Sequence, residues 1–451
     1  MVLSGISDGH AIGGMSDGHP CAIVAQFSTM KPKLLFILVT FLSVTAFFLN
    51  TSAEAKSQFE VRAFGAKGDG KTKDTAAFQK ALNACKAAGG GTVLVADGFY
   101  LIGSITIGDN TTLQLEGRAN LIGSPDLADY PLVQVRWEGE FAEGHRALIS
   151  AEKASHVGII GRGSIFGPPI SLSHLRDPRG PALMEFSECQ DVTLDGFTTQ
   201  YQQLWSIHLV LCKNIVARNL TIRAVNFNGD GLDIDSCAEV LIEKCNVDTG
   251  DDAVVLKSGR GIAAEKLARP TENVVIRDST LVSSIYAGLA IGTELSGGIR
   301  NVRVENCIIS GRQNGIFLKS REGRGGFIEN VTGENLVVQN SPTFIGINLL
   351  NKGIQASDPI AGDTEQWTRM SNIRFSHIQV RNVGDLVMAQ SIPAARPIDG
   401  LTLTDIQGTC DRALTLAHIT NAMLARINVT GYQGAFLTQT NVQGAGLLGP
   451  N

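Results

Sequence analysis

Aromatic residues are scarce in this 451-residue chain, at 6%, while glycine is plentiful at 50. That mix suits an all-β protein with many turns better than a helical one. Strong net charge is missing too. At −5 the chain exerts no long-range pull on nucleic acid or acidic membranes, so no nucleic-acid partner is expected and a polyanionic ligand would need a local basic patch. No CxxC pair is present to hold zinc. The seven cysteines beyond Cys21 are an odd number spread over hundreds of residues, which excludes a disulfide framework but leaves room for one or two bridges. After residue 49 no run is apolar enough to span a membrane. At 43% hydrophobic residues, the chain can still bury a large core in one or two domains.

The amino terminus reads as an address. Met30-Lys31-Pro32-Lys33, the apolar run from Leu34 to Leu49 and then Ala53-Glu54-Ala55 supply the charged, apolar and small-residue regions of a secretory signal, with cleavage after Ala55. A membrane anchor competes, but the run is short for a span. Ser7-Asp8-Gly9-His10 is echoed at Ser16-Asp17-Gly18-His19, which no usual signal contains; initiation at Met30 would explain the first 29 residues. The expected organisation is an upstream extension plus signal over 1–55 and one catalytic domain over 56–451. The expected location is secreted or periplasmic, with no stable membrane association after signal removal.

Phe59 to Phe64 alternates as a short strand and leads into Gly65-Ala66-Lys67-Gly68-Asp69-Gly70-Lys71-Thr72, a literal match to the phosphate-loop pattern GxxxxGK[ST]. Nucleotide binding does not follow. Asp69 would put a carboxylate among amides meant for phosphate, and no parallel βαβ pattern continues downstream. A helix from Asp74 as N-cap through Lys86 reads instead as a cap over one end of a β stack, whose open edge needs cover.

From about residue 93, short runs recur in which glycine or a short polar residue, most often Asn, precedes an alternating apolar strand. Their anchors are Val192, Ile215, Val240, Val274, Val302, Val331, Ile373 and Leu401. The spacing varies between about 23 and 42 residues, with no helical half to the repeat. Such a unit predicts a parallel β-helix, in which each coil pairs with the next; propeller blades would need four antiparallel strands per repeat.

Six aspartates fall between Asn228 and Ser258, and Asp230, Asp251 and Asp252 sit in glycine-containing turns. Asp and Gly also dominate ordinary turns, so no single one of them is informative. Their spacing is. In a β-helix, residues at one phase of successive coils stack about 4.8 Å apart. Counted from each anchor, Trp205, Asp230, Asp251, Ala287 and Lys319 should share one wall: an aromatic plate, carboxylates and a cation, as a groove for an acidic sugar chain requires. Alternation through Ile316 to Arg321 turns Phe317, Lys319 and Arg321 outward onto that wall, with Arg324 just beyond.

The segments FGAKGDGKTKDTAAFQKAL, NGDGLDIDSC, DTGDDAVVLKSGR, AIGTELSGGIRNVRVENC and KSREGRGG together resemble glycoside hydrolase family 28, the polygalacturonase family of pectin-degrading enzymes, from about Phe59 to the C-terminus. The resemblance implies an all-β, right-handed, single-stranded parallel β-helix and hydrolysis with inversion, by a monomer without cofactor or metal, of pectic polysaccharide or oligosaccharide. It implies Asp251 as general acid and Asp230 with Asp252 as the pair activating water. Lys319, Asn228, Tyr286, Phe317, Arg321 and Trp205 make up the expected substrate-binding set. Two family positions depart. Ala287, beside Tyr286, stands where a Gly-His-Gly motif has its histidine, and Phe317 stands where an Arg-Ile-Lys motif has its arginine; in the family these groups help hold galacturonate. His145, His156 and His208 fall elsewhere and read as structural or surface residues. Two other readings share the fold: a calcium-dependent pectate lyase with Lys319 as base, and a carbohydrate-binding or adhesion β-helix without turnover.

Overall fold

A strand of five alternating residues buries one face only when another strand covers it, and here the covering strand is always one coil away. The computed structural model describes residues 57–173, 175–201, 204–224, 226–353 and 366–448; the expected signal and the extension before it lie outside them. Strand follows strand in parallel register, wound as a right-handed β-helix. The eight anchors form one continuous row: Val192 pairs with Ile215, then Val240, Val274, Val302, Val331, Ile373 and Leu401. All eight are buried in the core.

The polar residue before each anchor has a conformational reason. Asn214, Asn273, Asn301, Asn330 and Asn372 have φ between 55° and 58°, the left-handed region that asparagine tolerates. Stacked one coil apart, their side chains bond in a chain: Asn301 Nδ2 donates to Asn273 at 2.9 Å, Asn330 to Asn301 at 3.0 Å and Asn372 to Asn330 at 3.1 Å. Uneven repeat length is absorbed outside the strands. The long step from Val240 to Val274, for example, contains the short helix Gly261–Leu267.

The capping helix runs Thr75–Ala87 and buries Ala77, Phe78, Ala81, Leu82 and Cys85 on the first coils, with Phe78 edge-on to Tyr100 at 5.3 Å. Asp74 precedes it but does not cap it with its side chain. Its carboxylate instead accepts from the Lys67 and Gly68 amides at 2.7 and 2.9 Å, so amides that match a phosphate loop are filled by the chain's own anion. The strand expected over Phe59 to Phe64 is shorter: Gln58–Glu60 is extended and Val61–Phe64 is a 3-10 turn. All seven described cysteines are buried and unpaired. Cys189, Cys212 and Cys237 stack on successive coils, each amide donating to the next sulfur at 3.3 Å.

One element stands outside the winding. Leu132–Trp137 and Glu140–His145 form an antiparallel hairpin closed by Glu138 and Gly139, both at positive φ as a two-residue turn demands. A Cβ on Gly139 would lie 2.7 Å from that of Arg260, so glycine is required there for close approach as well. The turn is tied down by the Arg260 amide donating to the Gly139 carbonyl at 3.0 Å and by the Arg260–Glu140 ion pair.

Candidate active site

One outward face of the solenoid carries polar side chains that are nonetheless buried, His208, Asp233, Asp235 and Lys257 among them. Along strands Met184–Ser187, Ile207–Val210, Leu232–Asp235, Val254–Lys257, Ala287–Ile291 and Asn314–Lys319, alternate residues such as Leu232, Ile234, Val254 and Leu256 enter the core. The residues between them face out. One outward row reads Glu185, His208, Asp233, Val255, Ala290, Phe317; the next carries Asp235, Lys257 and, two coils on, Lys319.

Just upstream of these strands the register continues. The Ser206 amide donates to the Asp230 carbonyl at 2.9 Å, Gly231 to Asp252 at 3.0 Å and Ala253 to Ala287 at 3.0 Å. The row therefore holds Trp205, Asp230, Asp252 and Ala287, one residue out of phase with the expectation at Asp251. All four are buried. Asp251, one residue earlier, opens into a cavity of about 670 Å³ lined also by Asn228, Tyr286, Phe317, Lys319, Trp137 and Arg179.

Trp205 is not a platform on that wall. It is 5% exposed, stacked beneath Trp137 at 4.4 Å, with Lys257 Nζ 3.9 Å from its ring. Trp137, from the hairpin tip, is the aromatic that lines the cavity; the repeat pattern missed it because the hairpin is not part of the repeat. Arg321 is likewise absent from the cavity wall, its backbone bridging Asn351, and Arg324 is buried. The histidines serve locally: His145 Nδ1 meets the Tyr130 carbonyl at 2.6 Å, His208 Nδ1 lies 3.2 Å from Glu185, and His156 is exposed beside Asp191.

The three turn carboxylates have different company. Burial and then the neighbouring Asp230 and Asp252 charges push the Asp251 carboxyl up to about 8, so it keeps its proton at neutral pH. Asp252 Oδ1 accepts from the Ala287 amide at 3.1 Å, and its Oδ2 is paired with Lys319 Nζ at 2.6 Å. Asp230 Oδ2 lies 3.5 Å from Lys257 Nζ, which also holds Asp233. Burial first, then Asp233, raises Asp230 well above the usual range; burial raises Asp233 to about 6. Among the described residues, Asp230 Oδ1 and Asp233 Oδ2 lack a donor. Below them Asp235 is kept under its ordinary value despite burial, by Arg136 at 3.0 Å and the nearby His208. Sequence reasoning passed over Asp233, Asp235 and Lys257, although their alternation in LDID and VVLK marks them as one face.

The two departures from the family pattern are neighbours. Phe317 packs with Val255, Ala287 and Ala290 in a small apolar cluster, so its ring covers ground that the alanine leaves open. Phe317 lines the cavity from the same strand face as Lys319, whose Nζ is 5.7 Å from its ring.

A site with one carboxyl held protonated beside another bonded to a lysine can give and take a proton across a bond laid along the cavity. Comparison with known proteins agrees with that chemistry. The family model described as Glycosyl hydrolases family 28 matches residues 85–407. A probable polygalacturonase of Vitis vinifera is 28% identical over 360 residues, covering 76% of this chain and 72% of the relative. A hyperthermoactive exopolygalacturonase from Thermotoga maritima superposes with a TM-score of 0.68 at 26% identity, over 86% of this chain and 92% of that one. A family 28 exopolygalacturonase of Yersinia enterocolitica reaches a TM-score of 0.73 at 20% identity, over 86% of this chain and 78% of that one, a likeness of fold alone.

Proposed function

This chain belongs to glycosyl hydrolases family 28 and is a glycoside hydrolase, and on that premise we propose that it cleaves α-linked galacturonic-acid-containing pectic chains with inversion. The observation that carries the reading is the division of labour between adjacent residues, Asp251 raised to about 8 and Asp252 paired with Lys319. Asp251 donates its proton to the leaving oxygen. Asp252, with Asp230 one coil away, orients water on the opposite face of the sugar and accepts its proton as the new bond forms. Lys319, bonded to Asp252 at 2.6 Å, holds the accepting carboxylate in place. Neither step calls for a metal, which separates this route from lyase chemistry.

The apolar cluster under Phe317 supports a substrate whose unit at that end does not depend on a carboxylate, a modified or mixed pectic chain rather than plain polygalacturonate. Digestion of a panel of pectic polysaccharides, with products separated by chromatography and the first-formed anomer read by proton NMR, tests both parts. Inverted, saturated products from galacturonate-containing chains are expected. Retention, an unsaturated product or no cleavage of any uronate polymer would overturn the reading. Export through the segment 30–55 belongs to the same proposal; N-terminal sequencing of the exported protein should begin at Lys56.

A further inference from the structure

Arg179 has an unusual position for a cation. It is 8% exposed, lies on the wall of the cavity that contains Asp251, and among the described residues has no hydrogen-bond partner at Nε or Nη2. A buried guanidinium in that state is costly unless something outside the chain completes it. Its placement is firmly built. The Arg179 carbonyl accepts from the His145 amide at 2.7 Å, at the end of the hairpin. Gly144 of the same strand pairs with it, and a Cβ there would meet that of Arg179 at 3.1 Å. Its Cζ sits 3.1 Å from the centroid of Trp137, which rests on Trp205, which rests on Lys257. Two cations thus sandwich two rings. Lys257 is paired with Asp230 and Asp233, whereas among the described residues no carboxylate is bonded to Arg179 Nε or Nη2. Its electrostatic neighbours are Glu138 and Asp230, which attract it, and Arg176, which repels it. Burial pulls its pKa down to about 9, as expected for a charge without a bonded counter-ion.

We propose that Arg179, held flat on Trp137, is a receptor for a uronate carboxylate at the N-terminal end of the cavity, the opposite end from Phe317. The proposal rests on the reading of the protein as a hydrolase of galacturonate-containing chains, and names the group that selects the acid. A planar guanidinium offers a carboxylate two parallel N–H donors, which fits the open Nε and Nη2, and an indole beneath it fixes the plane of the fork. The Arg179 guanidinium lies on Trp137 over Trp205, and from the coil of Trp205 to the strand of Phe317 and Lys319 is a run of four coils, roughly 19 Å at the usual strand spacing. A chain lying along the solenoid axis therefore meets Arg179 with one unit and Phe317 with another, and Asp251 lies between them.

The test measures binding apart from turnover. In an Asp251→Asn background, the affinities of trigalacturonic acid and its methyl ester are measured by calorimetry, then remeasured with Arg179→Gln and with Arg179→Lys. The acid should bind more tightly than the ester before the second substitution. Arg179→Gln should cost the acid roughly 10- to 100-fold, the worth of a charge-assisted hydrogen bond, and leave the ester nearly unchanged. Arg179→Lys should fall between, since it keeps the charge without the fork. A preference for acid over ester that survives Arg179→Gln, or that is absent from the start, would overturn the receptor. So would equal losses for both ligands, or a lowered melting temperature accounting for the loss in both variants, since either marks Arg179 as structural. An acid preference that depends on Arg179, in a protein that hydrolyses no uronate chain, would sustain the receptor and count only against the proposed reaction.

Discussion

On the N-terminal side of Asp251 the cavity wall holds Arg179, a guanidinium on an indole with open donors; on the C-terminal side it holds Lys319, an ammonium bonded to Asp252 at 2.6 Å. Both are cations shielded from water beside a cluster of carboxylates, and charge alone would give them the same task. Their bonding separates them. A lysine already bonded to a carboxylate has less to offer a ligand, whereas an arginine whose Nε and Nη2 meet no acceptor among the described residues has donors to spare. The flanks differ in origin too. Lys319 belongs to the repeat, two residues beyond Phe317 on the same strand, and Arg179 is set by the hairpin that folds back from Leu132–His145.

The comparison breaks first at its midpoint. Asp251→Asn should reduce turnover roughly 10²- to 10⁴-fold, the usual worth of general acid catalysis, without loss of fold; activity within tenfold of the parent would remove Asp251 as the acid. The same group sets a pH limit. Turnover of the parent should fall as pH rises through about 8, where Asp251 releases its proton. Its folded value lies above the 3.8 of an unfolded chain, so the folded state retains a proton that the unfolded one has lost. Stability from this group is complete below about pH 4 and declines towards pH 8. Thermal melts at both ends should show Asp251→Asn gaining relative to the parent at the alkaline end; an unchanged difference would contradict the raised value.

Lys319→Met comes next. It strands Asp252 as a buried carboxylate without its counter-ion, which should lower stability by up to about 3 kcal/mol along with turnover. Denaturant melts indistinguishable from the parent would mean that the pair is not what Lys319 is for. The smallest expected effect is the sharpest on independence. Phe317→Arg should add its own preference for the acid, and that gain should be the same within about twofold whether or not the chain also carries Arg179→Gln, because sites so far apart act separately. A gain that depends on the residue at 179 would show that one sugar unit reaches both ends, and the two flanks would have to be treated as one site.

Much of the frame was legible in the chain because a solenoid repeats its local rules. A residue at positive φ, most often asparagine, precedes each anchor, and the eight anchors read from the pattern are the eight residues that pair in one row. Asp230, Asp251, Asp252, Lys319, Asn228, Tyr286 and Phe317 were all recognisable, and they meet at or directly beneath one cavity. The phase between them was not. Counting from anchors put Asp251 in the row with Asp230, but the turns between anchor and site differ in length from coil to coil. Only the pairing of Leu232 with Val254 shows that Asp252 is the true neighbour.

By itself, then, the sequence determined the winding, the strand faces and the identity of the acidic turns, because each depends on alternation and turn chemistry within about ten residues. Tertiary structure decided which ring lines the cavity and which cation is open. Trp137 covers Trp205 across 68 positions, and Arg136 reaches Asp235 across 99. Contacts at such separations leave no periodic trace in the chain, since a hairpin outside the repeat can dock anywhere its partners allow. They come into being only when the solenoid is already there to receive it.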